Sequence, residues 1–468
     1  MPTYQTPGVY VEEISTLPPS VAQVSTAIPA FLGYTETGGG RVERISTLLE
    51  YETIFGEAKP STYAVTKKTN VDTGLDEVVD VKRGAGTEFL LYYSLSLYFK
   101  NGGGACYVVS IGDYTATPAK AHFEAGLAAL EKEDEPTLIV LTDAVNLPSA
   151  DYYDLCQQAL AQCNKLRDRF AVLDVLPDDP KATSPGNNIK EFRTNIGINN
   201  LMFGAAYYPY LKTALTYQYD EGQVTINSSN PPPVPSSGQT GGAGAGREEG
   251  TKLSDIKSTN TALYNQIKST LTQQRVDLPP SPAIAGVYAS VDRDRGVWKA
   301  PANVSLAAVI GPSVKVTHQD QESLNIDPTA GKSINAIRAF AGKGTIVWGA
   351  RTLAGNDNEW RYVSVRRLFV MIEESTQKAT AFAVFEPNDA TTWLKVKAMI
   401  ESYLHGLWEQ GALAGPTPEA AYFVNVGLGR TMTTQDVLEG RLIVEIGVAA
   451  VRPAEFIILR FTHKLQQA

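Results

Sequence analysis

ACYVVSIGDYTATPAKAHFEAGLAALEKEDEPTLIVLTD (105–143) carries the alternation that decides the fold. ACYVVSI (105–111) reads as a buried strand, PAKAHFEAGLAALEKE (118–133) as an amphipathic helix, and TLIVLTD (137–143) as a strand again. The pattern then repeats. ADYYDLCQQALAQCNKLRDR (150–169) follows as a helix, FAVLDVL (170–176) as a third strand and LMFGAAYYPY (201–210) as a fourth. Strands that are apolar along their length are covered on both faces, and helices that alternate with them supply the cover. The expectation is a mostly parallel sheet flanked by helices, with GTIVWGA (344–350) a later strand of the same layer.

Composition sets outer limits. A chain of 468 residues has room for about two to four domains with sizeable cores. Its 43% hydrophobic and 19% charged residues are ordinary globular values. The net charge of −9, from 41 basic and 50 acidic residues, argues against a broad basic surface for nucleic acid. No run of apolar residues is long enough to cross a bilayer, so direct membrane insertion is not expected. The N-terminus lacks the basic and apolar regions of a secretion signal, which implies folding in the cytoplasm or export by another route. Cys106, Cys156 and Cys163 are too few for a disulfide framework and read as buried thiols. The four histidines (His122, His318, His405, His463) have no metal-motif spacing, so neither a metal nor a cofactor is expected.

Outside the α/β stretch the chain changes character. NSSNPPPVPSSGQTGGAGAGREEG (227–250) is rich in Pro, Gly and Ser and reads as an exposed flexible loop. Helical periodicity returns over LSDIKSTNTALYNQIKSTLTQQ (253–274). WRYVSVRRLFVMIEESTQKATAFAVF (360–385) and TTWLKVKAMIESYLHGLWEQGAL (391–413) read as long helices. EAAYFVNV (419–426) and RLIVEIGVAAV (441–451) are extended, and EFIILRF (455–461) forms a last strand close to the chain end. At the other end TPGVYVEEI (6–14) is a strand almost from the first residue. Terminal strands either pair within their own molecule or add to a sheet on a neighbour, where main-chain hydrogen bonds carry the link.

Several motifs resemble chemistry they cannot perform. AGKSI (330–334) and AGKGT (341–345) look like parts of a phosphate-binding loop. The first has Ile326 where a glycine is required, and the second has Gly344 in place of the hydroxyl residue. NGGGA (101–105) precedes a strand, whereas a dinucleotide loop follows one. No G-x-S-x-G elbow is present. In VDRDRG (291–296), read as a loop, Arg293 and Arg295 would repel a divalent cation, so mutual salt bridging is expected. Arg295, Trp298 and Lys299 form a turn with a large aromatic, either a capped loop or an inter-domain or inter-subunit contact.

Seven motifs in order then carry a resemblance: TPGVYVEEI, DRDRGVWKAPAN (292–303), GTIVWGARTL (344–353), WRYVSVRRLFVMIEES (360–375), FEPND (385–389), LWEQGAL (407–413) and RPAEFIILRF (452–461). Together they resemble the contractile tail sheath family, found in phage tails and in phage-tail-like injection particles. The likeness covers most of the chain outside roughly 35–100 and 215–275.

The resemblance implies a combined α/β and α+β fold with inserted variable outer domains and extended terminal β-arms. The expected divisions are an N-terminal arm (1–20), a segment with an inserted variable region (21–100), an α/β domain (101–354), a C-terminal α+β domain (355–452) and a C-terminal strand arm (453–468). It implies a structural subunit rather than an enzyme, forming stacked hexameric rings around an inner tube. Partners would be further copies of the chain, the tube protein, and baseplate and terminator or cap proteins. Assembly would take place in the bacterial cytoplasm, as part of a virion or of a particle released from the cell.

Pro7, Gly8, Val9, Tyr10, Val11, Glu12, Glu13 and Ile14 map onto the inter-subunit arm, and Pro18 and Pro19 onto its hinge. Phe456, Ile457, Ile458, Leu459, Arg460 and Phe461 map onto the terminal strand. An extended arm of 20 residues reaches at most about 66–72 Å, enough to bridge adjacent subunits. Two alternatives stay open at this point: a nucleotide-binding α/β enzyme, and another structural tail component such as a baseplate protein.

Overall fold

The computed structural model describes residues 21–70, 73–177, 187–229 and 250–458. Strands Cys106–Asp113, Leu138–Leu141, Phe170–Asp174 and Gly204–Tyr208 alternate with helices Lys120–Leu130 and Ser149–Leu166, as the periodicity requires. All four strands lie in one nine-stranded sheet. Its order is Val304–Ser305, Gly344–Val347, Ile334–Phe340, Gly204–Tyr208, Phe170–Asp174, Leu138–Leu141, Pro29–Thr35, Cys106–Asp113, Val42–Ile45. Neighbours from Ile334–Phe340 through Cys106–Asp113 pair in parallel, and the strands at the two margins pair antiparallel. The fold is thus the mostly parallel α/β sheet expected, closed at its edges by short antiparallel strands.

Pro29–Thr35, deep in the parallel block, has no clear signal in the sequence. All seven of its residues are buried, yet it opens on a proline and holds Gly33 in its interior, both of which weaken a strand pattern. Gly33 has a steric reason to be there: a Cβ would meet Asp143 Oδ2 at 2.6 Å and Leu91 Cβ at 2.9 Å. The sheet therefore takes two strands from the 21–100 segment, and the α/β body starts well before residue 101.

Because side chains alternate across a strand, the sheet feeds two cores. Ala30, Leu32, Tyr34, Ile139, Leu141 and Leu173 pack on one face with Phe123, Leu127, Tyr152, Leu155 and Leu160 of the two helices named above. Phe31, Val108, Val140, Val172 and Tyr207 pack on the other with Leu95 and Tyr98 of helix Leu91–Lys100 and Ile284 and Tyr288 of helix Ser281–Arg295. Each such side chain contributes about 1.5–3 kcal/mol on full burial.

A second sheet orders Thr251–Lys252, Val224–Ser228, Tyr63–Thr69 and Asp76–Arg83. Tyr63–Thr69 pairs in parallel with Val224–Ser228, so segments far apart in sequence form a single insert. Tyr63, Val65, Val224 and Ile226 pack against Leu263, Ile267 and Leu271 of helix Thr261–Leu271. The helical run over 253–274 is broken where the Asn260 side chain accepts the Leu263 N–H at 3.1 Å and starts a new helix. Of the Pro/Gly-rich loop, residues 230–249 lie outside the described residues.

The described chain divides into two compact units, residues 25–370 with 452–458 and residues 21–24 with 371–451. The division falls inside helix Val363–Thr380 rather than at 354/355. In the second unit, helix Ala390–Glu409 begins where the Asp389 carboxylate accepts the Thr392 N–H at 3.0 Å. A two-stranded antiparallel sheet, Tyr422–Val426 with Val444–Val448, completes its α+β character.

Helices Leu91–Lys100 and Ser281–Arg295 approach closely at Gly286, where a Cβ would meet the Tyr98 carbonyl oxygen at 2.7 Å and Asn101 Cβ at 2.9 Å. Gly286→Ala is expected to lower stability by about 1–3 kcal/mol through overpacking. Gly104→Ala, with no atom within 4 Å of the new methyl, is expected to leave the thermal midpoint unchanged in the same scan.

Candidate functional site

In a parallel α/β sheet, ligands bind beyond the carboxyl ends of the strands. Here two buried aspartates occupy that region. Asp143, just past Leu138–Leu141, accepts the Tyr34 N–H at 2.8 Å and the Leu90 N–H at 2.5 Å, where helix Leu91–Lys100 begins. Asp174, the last residue of its strand, accepts the Ser281 N–H at 2.7 Å and the Ser281 hydroxyl at 2.5 Å, where helix Ser281–Arg295 begins. Burial pushes both carboxyls up to about 7, against the pull of these donors. Each is engaged in satisfying otherwise orphaned amides at a helix start.

The phosphate-loop fragment at 330–334 is occupied in the same way. The Asp327 carboxylate accepts the N–H groups of Thr329 and Ala330, both at 3.1 Å, where a phosphate would have to sit. The Lys332 ammonium donates to the Arg193 carbonyl, and a strand follows the loop instead of a helix. Gly342 and Gly344 lie at the turn into strand Gly344–Val347. Among the described residues no group of three His, Cys, Asp or Glu side chains is placed to hold a metal ion. Cys106, Cys156 and Cys163 are free and buried, and burial pushes their thiols up.

VDRDRG is not a loop. It forms the last turns of helix Ser281–Arg295, stopped by Gly296 at φ 87°. A Cβ on Gly296 would meet the Trp298 ring at 2.4 Å, so only glycine lets the chain turn back under the indole. Arg295 is exposed, and Trp298 and Lys299 are half-buried. Lys299 Nζ donates to the Ala300 carbonyl at 2.7 Å, and burial, helped by Arg295, lowers its pKa. The expected mutual salt bridging holds for Arg293 with Asp294, at 3.2 Å on the surface, but Asp292 turns inward.

That inward carboxylate belongs to the first of two clamps, both within the larger unit. Arg367 grips Asp292 with two parallel bonds of 3.1 and 2.6 Å and donates to the Thr26 carbonyl at 2.8 Å. The Thr26 hydroxyl donates to Asp292 at 2.5 Å, and the guanidinium lies 4.5 Å from the Tyr288 ring centroid. This clamp holds the chain just ahead of strand Pro29–Thr35.

The second clamp holds the other end. Arg351, 3% exposed, has its backbone fixed by the Asn335 amide, which accepts the Arg351 N–H at 2.7 Å and donates to the Arg351 carbonyl at 2.8 Å. Its guanidinium meets both oxygens of Glu455, Nε at 2.9 Å and Nη2 at 2.6 Å. Asn325 and the Tyr362 hydroxyl donate to the same carboxylate at 2.8 and 3.2 Å. Burial works to raise the Glu455 pKa, but the bonds from Arg351 and Asn325, the Arg351 charge and the Tyr362 bond together hold it below the usual carboxylate range.

Immediately after the clamp, Phe456, Ile457 and Ile458 are 68%, 79% and 77% exposed. Among the described residues they pair with no strand. Leu459, Arg460 and Phe461, together with Pro7 to Ile14, Pro18 and Pro19, lie outside the described residues.

In the smaller unit, the two-stranded sheet pairs Tyr422 with Val448 through Val426 with Val444. Among the described residues each of its strands has only the other as a ladder partner. Phe423 lies across Gly447, where a Cβ would meet its ring at 2.1 Å. Motif reading missed Thr26, Asp292, Arg351, Arg367 and Glu455, because the pairs are distant in sequence. The one local signal is that Glu455 is the sole acidic residue of 452–468 and stands at the head of an apolar run.

Comparison with known proteins gives a consistent picture. The family model "Phage tail sheath C-terminal domain" matches residues 355–464. The chain is 32% identical to a subunit of the contracted sheath complex of the extracellular contractile injection system PVC, with a TM-score of 0.66, covering 100% of this chain and 99% of that one. It is also 32% identical to a chain in the sixfold-symmetrised baseplate structure of the anti-feeding prophage, with a TM-score of 0.64 and coverage of 99% and 100%. The tail sheath protein of Vibrio phage KVP40 is 25% identical over 185 residues, which span 39% of this chain and only 26% of the phage protein.

The two buried aspartates generate a pH prediction. Their carboxyls sit near 7 when folded and near 4 when unfolded, so between those values the folded state binds more protons. Their contribution to stability should therefore be greatest below about pH 4, fall as pH rises to about 7, and level off above. Asp143→Asn and Asp174→Asn should each remove roughly 4 kcal/mol of that fall. Urea unfolding at pH 4, 5.5 and 7 checks it, and an unchanged slope in the variants would count against the assignment.

Proposed function

Because this chain belongs to the contractile sheath family of phage tails and extracellular injection systems, we propose that it polymerises as stacked hexameric rings around an inner tube and contracts to drive the tube through a target envelope. It is a structural sheath subunit and not an enzyme. The sixfold-symmetrised baseplate with its matching chain supports ring formation and contact with a baseplate. The particle is a phage tail or an injection system released from the cell, with the subunits assembled first in the cytoplasm.

The observation that carries the linkage is the exposed run Phe456–Ile458 directly after the Glu455 clamp, which joins no ladder among the described residues. Three consecutive large apolar residues in water fit a strand whose partner is on another molecule. The sheet of Tyr422–Val426 and Val444–Val448 is suited to receive such strands, since two strands alone are marginal and, among the described residues, neither strand has a second ladder partner. The N-terminal strand over Pro7–Ile14 adds in the same manner from a different copy, with Pro18 and Pro19 as its hinge.

Each backbone bond in such a ladder is worth about 0.5–1.5 kcal/mol net, so one five-residue strand contributes a few kcal/mol. The lattice is held by many such modest links while the bodies rotate and repack. Contraction draws on interface energy stored in a metastable extended state, with no nucleotide consumed.

Removal of residues 1–20 is expected to leave a folded, soluble body that no longer forms tubes in negative-stain micrographs. Val9→Pro and Ile458→Pro should each abolish tubes while leaving the circular dichroism spectrum intact, since proline removes a ladder donor. Tubes of normal length from the truncated chain would refute strand exchange.

A further inference from the structure

We propose that the Arg351–Glu455 pair is a positioning anchor that sets where and in which direction the C-terminal strand leaves the body, and thereby how readily another copy can take it up. The inference rests on the sheath reading above and adds a residue-level device to it.

The first argument is placement. Glu455 is adjacent to Phe456, so no free residue separates the clamp from the exposed run. A bidentate guanidinium–carboxylate contact fixes orientation as well as distance, because the two planar groups must align. Two further donors, from Asn325 and Tyr362, hold the carboxylate from other sides. Upstream, Arg452 donates to the Asn358 carbonyl at 2.7 Å through an exposed side chain. Without Glu455, residues 453–455 become an extra flexible joint whose freedom must be given up each time the strand docks.

The second argument is the chemistry of Arg351. Its guanidinium is buried, and the carboxylate that neutralises it comes from the terminal segment, 104 residues away. A cation committed so deeply costs stability when unpaired. The body is therefore complete only with the root of its terminal segment in place.

The third argument is repetition. Arg367 uses the same two-bond grip on Asp292 and reaches the Thr26 carbonyl at the opposite end of the chain. Both arginines lie within residues 351–367, so one short stretch of the larger unit holds the roots of both chain ends.

The test separates positioning from plain stabilisation by comparing Glu455→Gln with the double variant Arg351→Met/Glu455→Gln. Two quantities are measured for each: the thermal midpoint of dilute protein, and the concentration at which tubes first appear by negative stain. Glu455→Gln leaves a buried cation poorly paired, so its midpoint drops and its assembly threshold rises about tenfold or more. The double variant removes the buried charge, so its midpoint returns to the wild-type value while its threshold stays raised. A double variant that assembles at the wild-type threshold overturns the proposal, as does a single variant with an unchanged threshold. If the wild-type chain forms no tubes and truncation of residues 1–20 changes nothing, the sheath reading itself fails, a result distinct from failure of the anchor.

Discussion

A backbone amide in water is satisfied, but one pressed against apolar side chains without a partner is not, and the rest of this molecule is arranged around that constraint. Phe456, Ile457 and Ile458 keep their amides in water, but burying their exposed apolar side chains would oblige those amides to find partners. Their apolar side chains make solvent a poor final environment, and among the described residues they join no ladder. In the proposed assembly another copy supplies the missing partner. Among the described residues, Tyr422–Val426 and Val444–Val448 each have only the other as a ladder partner. In the proposed assembly such an edge is where a neighbour's strand adds.

The remaining mass of the chain does the opposite and leaves little undone. The nine-stranded sheet is covered on both faces by separate apolar cores. The positions where an enzyme of this topology would bind a ligand are filled by its own carboxylates: Asp143 and Asp174 at helix starts, Asp327 within the would-be phosphate loop. A body built in this way is suited to moving as one piece.

Much of this was legible in the sequence, and the gaps have physical causes. The alternation over 105–210 was plain because doubly covered strands are apolar throughout and their helices are amphipathic. Pro29–Thr35 was missed because Gly33 is demanded by Asp143 and Leu91, neither of them near it in sequence, and that demand erodes the local pattern. The pairing of the two segments of the insert is not legible, because parallel pairing of Tyr63–Thr69 with Val224–Ser228 leaves no short-range trace. VDRDRG reads as a loop because its dense charges hide a helix end whose one inward residue, Asp292, serves Arg367. Glu455 is one acidic letter in an apolar tail, and its role exists only opposite Arg351.

The three cysteines have a consequence for the particle as a material. All are buried and free, and their thiols are held in the unreactive protonated form. A stack of many copies therefore presents no thiolate at its seams for oxidants to weld. For a sheath subunit, that leaves no cysteine on the surface of the folded chain through which copies could be cross-linked.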